Sequence, residues 1–85
     1  VVSRMSLATG NISVMELDVM PGAKATEHVL AKLSLPRKSL IAAVMREGYV
    51  QVPGADDRLH PGDTVIALVE DAAEEELLSF FEGAA

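Results

Sequence analysis

Arg37 and Lys38 form the only pair of adjacent basic residues in the chain, and this pair is the strongest local signal for a binding site. The pair falls between a predicted helix and a predicted strand, where positive charge and free backbone N–H groups together can hold an anion. Adjacent basic residues are also common in exposed, solvated turns. The two residues therefore predict either a weak anion site or an ordinary surface turn.

The other residues that could do chemistry lack the partners that their reactions need. His28 and His60 lie 32 positions apart and show no HExxH spacing, and the chain has no cysteine, so no zinc site is predicted. Asp56 and Asp57 lack the regular series of oxygen ligands found in a calcium loop. No serine lies in a GxSxG motif, so nothing marks an activated nucleophile. We predict no catalytic residue, no metal site and no enzymatic activity.

The six glycines are spread singly, so the chain contains neither a P-loop nor a GxGxxG motif. A dinucleotide site within this sequence is therefore not predicted. Asp63 follows a Pro61-Gly62 turn, where its carboxylate can accept hydrogen bonds from nearby backbone N–H groups. We interpret Asp63 as a structural residue.

The charge of the chain is concentrated at its C-terminal end. The 85 residues carry a net charge of −6, and acids and bases cancel over residues 1–69. The excess acids lie in residues 70–82, which would repel a phosphate backbone, so nucleic acid is not an expected partner. Such a run is most often the solvated side of a helix, and an acidic docking tail is the alternative. This length and the absence of cysteine indicate one small domain without disulfides.

No apolar run is long enough to span a membrane, and residues 1–4 do not resemble a signal peptide. We therefore expect no direct membrane insertion and a cytoplasmic location. The chain does not begin with Met, which suggests a piece of a longer protein. Residues 1–11 show no clear element and are predicted to be a linker or the tail of a preceding domain, while residues 12–85 form the domain itself.

The first half of that domain shows one strand pattern and one helix pattern. Apolar and acidic residues alternate over residues 12–20, as in a half-buried strand. Ala25, Val29 and Leu33 recur every four residues, which predicts a short helix with one apolar side. Pro36 disfavours helical geometry at the preceding residue, so this helix should end near Leu33 or Ser34.

The second half contains three predicted strands. Residues 40–45 form a continuous apolar run, typical of a central strand covered on both faces. Glu47-Gly48 then predicts a tight hairpin into residues 49–52, because Gly accepts the positive φ that a two-residue loop requires. Another apolar strand over residues 64–69 follows the Pro61-Gly62 type II turn.

The last predicted element is a helix that begins at Asp71. Glu74 stands three residues later, which is a variant of the capping box. The apolar side of this helix comprises Ala73, Leu77, Phe80 and Phe81. The complete order is β-α-β-β-β-α, an α+β fold with a small sheet of about four strands and two helices packed on the sheet.

The ordered string of turns and apolar positions resembles the C-terminal domain of RCK/TrkA potassium-transport regulators over about residues 12–82. The matching stretches are Glu16-Leu17-Asp18-Val19-x-Pro21-Gly22, Val29-Leu30-x-x-Leu33-x-Leu35-Pro36-x-x-x-Leu40-Ile41, Val44-x-Arg46-x-Gly48-x-Val50-x-Val52-Pro53 and Leu59-x-Pro61-Gly62-Asp63-x-Val65. No single motif in this string is specific to that family, but the order and spacing of the motifs together are.

The resemblance implies a noncatalytic, ligand-sensing and dimerising module of a potassium or other monovalent cation channel or transporter. Its implied partners are a second copy of itself and a membrane transport subunit, or a membrane domain of the same protein. In that family the NAD or ATP site belongs to a preceding domain, so no cofactor is expected in this one.

Some members of the family bind cyclic di-AMP in a cleft at the dimer interface. The positions that match those binding residues are Arg37, Ser39, Ile41 and Pro53. Together with Lys38 from the basic pair, they make the candidate ligand-binding set. Two alternatives stay open, namely a purely structural assembly module and a cyclic-dinucleotide or anion sensor on the tail of another transporter.

Overall fold

Five antiparallel strands form a single sheet in the computed structural model, which describes residues 2–6 and 10–83. The strands are β1 (Val2–Ser6), β2 (Ile12–Asp18), β3 (Ser39–Arg46), β4 (Tyr49–Gln51) and β5 (Thr64–Glu70). Their spatial order is β1-β2-β5-β3-β4. The described residues contain one α-helix, α1 (Glu74–Phe81), and short 3₁₀ helices at Lys24–Thr26, Leu30–Lys32 and Asp71–Ala73. The predicted α+β class is confirmed, but the order with two helices is not.

Strict alternation of burial along β2 and β5 defines the covered face of the sheet. Both strands alternate between half-buried and fully buried positions. Their register places Met15 opposite Ala67 and Leu17 opposite Val65. Helix α1 packs on this face and adds Leu77 and Phe81 to the same core. The period-2 pattern predicted for β2 is therefore confirmed.

The first predicted helix is wrong, because residues 24–32 form two 3₁₀ turns instead. The apolar residues do recur at helical spacing, but the backbone N–H groups that would form an α-helix donate to another segment of the chain. The N–H of Leu30 donates to the carbonyl of Asp57 at 2.9 Å, and the N–H of Ala31 donates to that of Ala55 at 2.9 Å. A helix of this length is only marginally stable by itself, so tertiary hydrogen bonds decide its conformation.

The two predicted turns are confirmed. Glu47 and Gly48 both have positive φ, 51° and 83°, as a type I′ hairpin requires. In the second turn Gly62 has φ 93°, and the N–H of Asp63 donates to the carbonyl of His60 at 3.0 Å. These turns set the registers of β3 with β4 and of β5 with its neighbours.

The last helix forms where the sequence predicts it, although its start differs. A 3₁₀ turn occupies Asp71–Ala73, and no side-chain cap hydrogen bond is present at the N-cap of this turn or of α1. The Asp71 N–H instead donates to the carbonyl of Asn11 at 3.1 Å, so the first turn is anchored to the start of β2. The predicted capping box is therefore wrong, whereas the predicted apolar side of the helix is confirmed.

Two expectations about the sheet are also corrected. The middle strand is β5 and not β3, which pairs with β4 only over its last three residues. Only Val44 of β3 is fully buried, and Leu40 keeps 58% of its surface exposed. The apolar run of β3 is thus covered on one face by its own chain. In addition, residues 2–6 within the segment 1–11 form a strand that pairs with β2.

Candidate functional site

A cleft at the start of β3 gathers three of the five candidate ligand-binding residues. We call this feature the apolar cleft. It is lined by Leu30, Ala31, Ser39, Ile41, Pro53 and Ala55, among others, and its volume is about 270 Å³. The structure therefore brings Ser39, Ile41 and Pro53 together although Pro53 lies on a different segment of the chain.

Backbone hydrogen bonds between two irregular segments build one wall of the apolar cleft. The bonds from Leu30 and Ala31 hold the second 3₁₀ turn against the loop that follows β4. The loop itself is closed by the carboxylate of Asp57, which accepts a hydrogen bond from the Gly54 N–H at 2.7 Å. Both walls are fixed by bonds that do not depend on a ligand, so the cleft is preformed.

Ser39 supplies the polar group of the apolar cleft. Its hydroxyl donates a hydrogen bond to the carbonyl of Pro36 at 2.6 Å. The donor is therefore in use, while the hydroxyl oxygen can still accept a hydrogen bond from a ligand. The remaining lining is aliphatic, so it offers apolar surface to the face of a flat ring such as a nucleobase.

Arg37 and Lys38 line a different cleft, which we call the basic cleft. It lies between the connection before β3 and the start of α1, has a volume of about 350 Å³, and includes Glu70 and Glu76. Lys38 has φ 66°, a left-handed conformation, and its Nζ lies 3.8 Å from the Oε1 of Glu70. Two carboxylates thus offset the two cations, which weakens the case for an anion site at the basic pair.

The candidate set is therefore divided between two clefts on either side of one short connection. Arg37 does not share a cleft with Ser39, whereas Lys38 and Ser39 both line a further cleft of about 340 Å³ beside Leu40 and Leu68. Sequence reasoning also missed Leu30, Ala31 and Ala55, because it placed the first two in a helix and the third in an isolated loop. The signal that could have found them is the pair of turn motifs, Leu35-Pro36 and Pro53-Gly54, at the two ends of the cleft.

An ion pair with a buried carboxylate joins β3 to the turn before β5. The Nε and Nη2 of Arg46 donate to the two carboxylate oxygens of Asp63 at 2.8 and 2.7 Å. Asp63 also accepts a hydrogen bond from the His60 N–H at 2.8 Å, and only 2% of its surface is exposed. These contacts, with the Arg46 hydrogen bonds first among them, hold the pKa of Asp63 below its usual value although burial opposes the shift.

The predicted structural role of Asp63 is confirmed, and its partner Arg46 is the residue that the sequence did not indicate. A bidentate guanidinium–carboxylate pair is geometrically specific, so it fixes the turn against the end of the hairpin. Arg46 also donates from Nη2 to the carbonyl of Arg58 at 3.1 Å. The pair therefore also holds the Arg58 end of the loop that follows β4.

The histidines and acidic pairs do not form a metal centre in the described part of the chain. His60 shares a small cleft of about 170 Å³ with Asp56, Asp57, Arg46 and Arg58, where the two arginines disfavour a cation. Across residues 2–6 and 10–83, no group of three or more His, Asp or Glu side chains is placed to hold a metal ion. Nor does any helix in these ranges have the length and hydrophobicity needed to cross a membrane.

Comparison with known proteins shows which family this chain belongs to. The model of the TrkA-C domain family matches residues 14–82. A Trk system potassium uptake protein TrkA homolog from Archaeoglobus fulgidus is 35% identical over 74 residues, which cover 87% of this chain and 17% of that relative. The Trk system potassium uptake protein TrkA from Mycobacterium tuberculosis is 32% identical over 73 residues, which cover 86% of this chain and 33% of that relative.

The chain thus spans between 17% and 33% of the length of these relatives. The matched range begins within β2 and ends just after α1, so it contains the sheet core, both clefts and the Arg46–Asp63 pair.

Proposed function

Because this chain belongs to the TrkA-C domain family, we propose that it is a noncatalytic regulatory domain of a potassium transport system. In this proposal the domain acts in the cytoplasm, pairs with a second copy, and transmits ligand occupancy to a membrane transport subunit or to a membrane domain of its own parent protein. The observation that carries the proposal is the family match over residues 14–82, combined with a preformed cleft at the start of β3.

The apolar cleft is the proposed ligand site, and a cyclic dinucleotide is the proposed ligand class. Ile41 and Pro53 offer apolar surface on which a base can lie, and the Ser39 hydroxyl oxygen can accept from an exocyclic amine. At about 270 Å³ the cleft lies just below the range for ligand pockets, roughly 300–1,000 Å³. A two-part ligand that places one base in the cleft of each copy fits this size better than a ligand enclosed by one copy.

Regulation by such a ligand requires a difference in affinity. A ligand that binds two arrangements of the paired domains equally well shifts neither population. A ligand that bridges two clefts binds only the arrangement in which the clefts face each other. Occupancy would thus select one geometry of the pair, and the attached transport machinery would sense that geometry.

Thermal unfolding of the chain with and without cyclic di-AMP tests the ligand proposal. Saturation at about 100 times the dissociation constant adds ~2.7 kcal/mol, which raises the melting temperature of a domain this size by about 10 °C or more. Ala31→Trp places an indole in the apolar cleft and should abolish the shift. Ala72→Trp places the same side chain in the basic cleft, and should leave the shift intact.

The opposite result, loss of the shift in Ala72→Trp alone, would move the site to Arg37 and Lys38 and favour an anion sensor. No shift with cyclic di-AMP or with mononucleotides would favour the alternative of a purely structural assembly module.

A further inference from the structure

A small cleft lies between the β3–β4 hairpin and the loop that joins β4 to β5. We call it the polar cleft, and its volume is about 170 Å³. Two of its lining residues, Val44 and Leu59, are almost fully buried and belong to the core. The others are mostly charged or polar, and they include Arg46, Gln51, Asp56, Asp57, Arg58 and His60. The polar cleft therefore suits a ligand of different chemistry from the mostly aliphatic apolar cleft.

The strand register sets which side of the sheet the polar cleft occupies. Val44 lies opposite Gln51, and Arg46 lies two positions further along β3, so the three side chains share one face of the hairpin. Val44 is part of the core, so this face is the one that also carries the core. The polar cleft is thus a recess at the border of the core, beside the edge strand β4.

The loop wall of the polar cleft is fixed by hydrogen bonds from outside the loop. The carbonyls of Ala55 and Asp57 accept from backbone N–H groups of the second 3₁₀ turn, both at 2.9 Å. The carbonyl of Arg58 accepts from Nη2 of Arg46 at 3.1 Å. None of these bonds needs a ligand, so a ligand that enters the polar cleft does not have to order the loop.

Arg46 presents a fixed pair of unused donors to the polar cleft. Its Nε and Nη2 donate to the Asp63 carboxylate, and Nη2 also donates to the Arg58 carbonyl. A guanidinium carries two further N–H donors on Nη1, and these have no partner among residues 2–6 and 10–83. Because the other bonds already orient the guanidinium, Nη1 is a preorganised donor for a carboxylate oxygen.

The other charged groups of the polar cleft include unpaired charges of both signs. The side chains of Asp56 and Arg58 line the cleft, but neither has an ion-pair or hydrogen-bond partner in the described part of the chain. A lone anion would face Asp56 and Asp57, and a lone cation would face the two arginines, so neither is favoured. A molecule that carries one charge of each sign finds a partner for both.

The volume of the polar cleft limits its ligand to a small molecule. A water molecule occupies about 30 Å³ in the liquid, so 170 Å³ corresponds to roughly six waters. Glycine, alanine and serine have a comparable number of non-hydrogen atoms, and each carries a carboxylate and an ammonium group. Val44 and Leu59 supply apolar surface for their carbon atoms.

We propose that the polar cleft binds a free α-amino acid with a small side chain. The carboxylate of the amino acid accepts hydrogen bonds from Nη1 of Arg46 and from the Arg58 guanidinium. Its ammonium group donates to the Asp56 carboxylate, and its carbon atoms lie against Leu59. This site goes beyond the proposed function, because it is separate from the proposed nucleotide site, although Pro53 lines both clefts.

Titration of the isotope-labelled 85-residue chain with glycine, alanine or serine, followed by NMR, tests the proposal. At millimolar concentrations we expect saturable shifts in the amide resonances of Gln51, Arg58 and Leu59. Acetate carries only the carboxylate and ethylammonium only the ammonium group, so each should bind at least about 10-fold more weakly than glycine. If either binds as tightly as glycine, the cleft recognises a single charge and the proposal is wrong. The absence of saturable shifts at these residues also overturns it.

Variants that remove one charge locate the site. Arg58→Gln and Asp56→Asn should each weaken glycine binding at least about 10-fold, because each removes a charge-assisted hydrogen bond. Both side chains are exposed, so the variants should fold, and thermal melting verifies this. Lys24→Gln is the matched control, since it removes an exposed positive charge that does not line the polar cleft, and it should leave binding unchanged. Equal binding by all three variants would contradict the proposed contacts.

A competition experiment separates this proposal from the proposed function. Glycine binding should persist in the presence of saturating cyclic di-AMP, because the two ligands occupy different clefts. Displacement of glycine by cyclic di-AMP would mean that both use one site, which overturns this proposal and leaves the proposed function standing. If cyclic di-AMP produces no thermal shift while the glycine titration behaves as expected, the proposed nucleotide is wrong and the amino-acid site stands.

Discussion

At the scale of single residues, the Arg46–Asp63 pair is a geometrically specific interaction between two distant parts of the chain. Asp63 is nearly fully buried, whereas the Arg46 side chain keeps 35% of its surface exposed. A buried carboxylate needs all of its hydrogen bonds, and here the guanidinium and the His60 N–H supply them. The pair therefore specifies how the turn docks, in addition to whatever it contributes to stability.

This pair predicts a pH dependence of stability. The folded-state pKa of Asp63 lies below its unfolded value of about 3.9, so the unfolded chain takes up the proton first as the pH falls. The stabilisation is therefore complete above about pH 5 and is lost as the pH falls through 4 and below. Asp63→Asn should cost ~1–3 kcal/mol at pH 7 and flatten this acid limb. Urea unfolding of both proteins between pH 2 and 7 measures the difference, and parallel curves would contradict the assignment.

At the scale of elements, the conformations of the turns follow more directly from their sequences than the conformations of the helices do. The Pro61-Gly62 turn requires a left-handed residue at Gly62, whose φ is 93°. A Cβ at that position would meet no atom within 4 Å, so any cost of adding one is conformational and not steric. Gly54 lacks a positive φ, and a Cβ there would make an ordinary 3.7 Å contact with the Asp57 carboxylate.

These two glycines make a matched test. Gly62→Ala should destabilise the fold by about 1–2 kcal/mol, because a left-handed conformation is unfavourable for an L-residue with a side chain. Gly54→Ala should be neutral or slightly stabilising, since it restricts the unfolded chain without straining the folded one. Chemical denaturation of both variants and the wild type gives the comparison. A larger loss in Gly54→Ala would contradict the assigned roles of these loops.

The elements that were predicted correctly from the sequence are those whose conformation depends on a few neighbouring residues. The alternation in β2, the hairpin at Glu47-Gly48 and the apolar side of α1 each follow from a few neighbouring residues. The helix predicted around Val29 fails because its backbone donors are taken by the loop near Asp57, a partner that no local pattern shows. The same long-range docking creates the apolar cleft. Local sequence patterns therefore indicated only the basic pair as a candidate site, and Ile41 and Pro53 were indicated only by the family resemblance.

At the scale of the whole molecule, one face of the sheet carries the core, whereas Met5, Leu40 and Val50 each keep more than half of their surface exposed. A small domain buries little more than ~60% of the surface that its unfolded chain exposes, so it gains much from a shared interface. Leu40, which is 58% exposed, also lines the apolar cleft. In the proposed function, where one ligand bridges two clefts, pairing and ligand binding are expected to be energetically linked, so that each strengthens the other.

The position of β5 has a consequence for biosynthesis. Strands β2 and β3 do not pair with each other. Strand β2 pairs with β1, and β3 pairs with β4, but the two pairs become one sheet only when β5 inserts between β2 and β3. Before residue 70 leaves the ribosome, a nascent chain has a hairpin and a strand pair but no shared core. A chain that stops at residue 63 should thus stay unfolded, with no cooperative melting by circular dichroism. Every complete copy of the sheet is therefore a copy whose β5 has already been made, and a product that terminates before β5 cannot form this sheet.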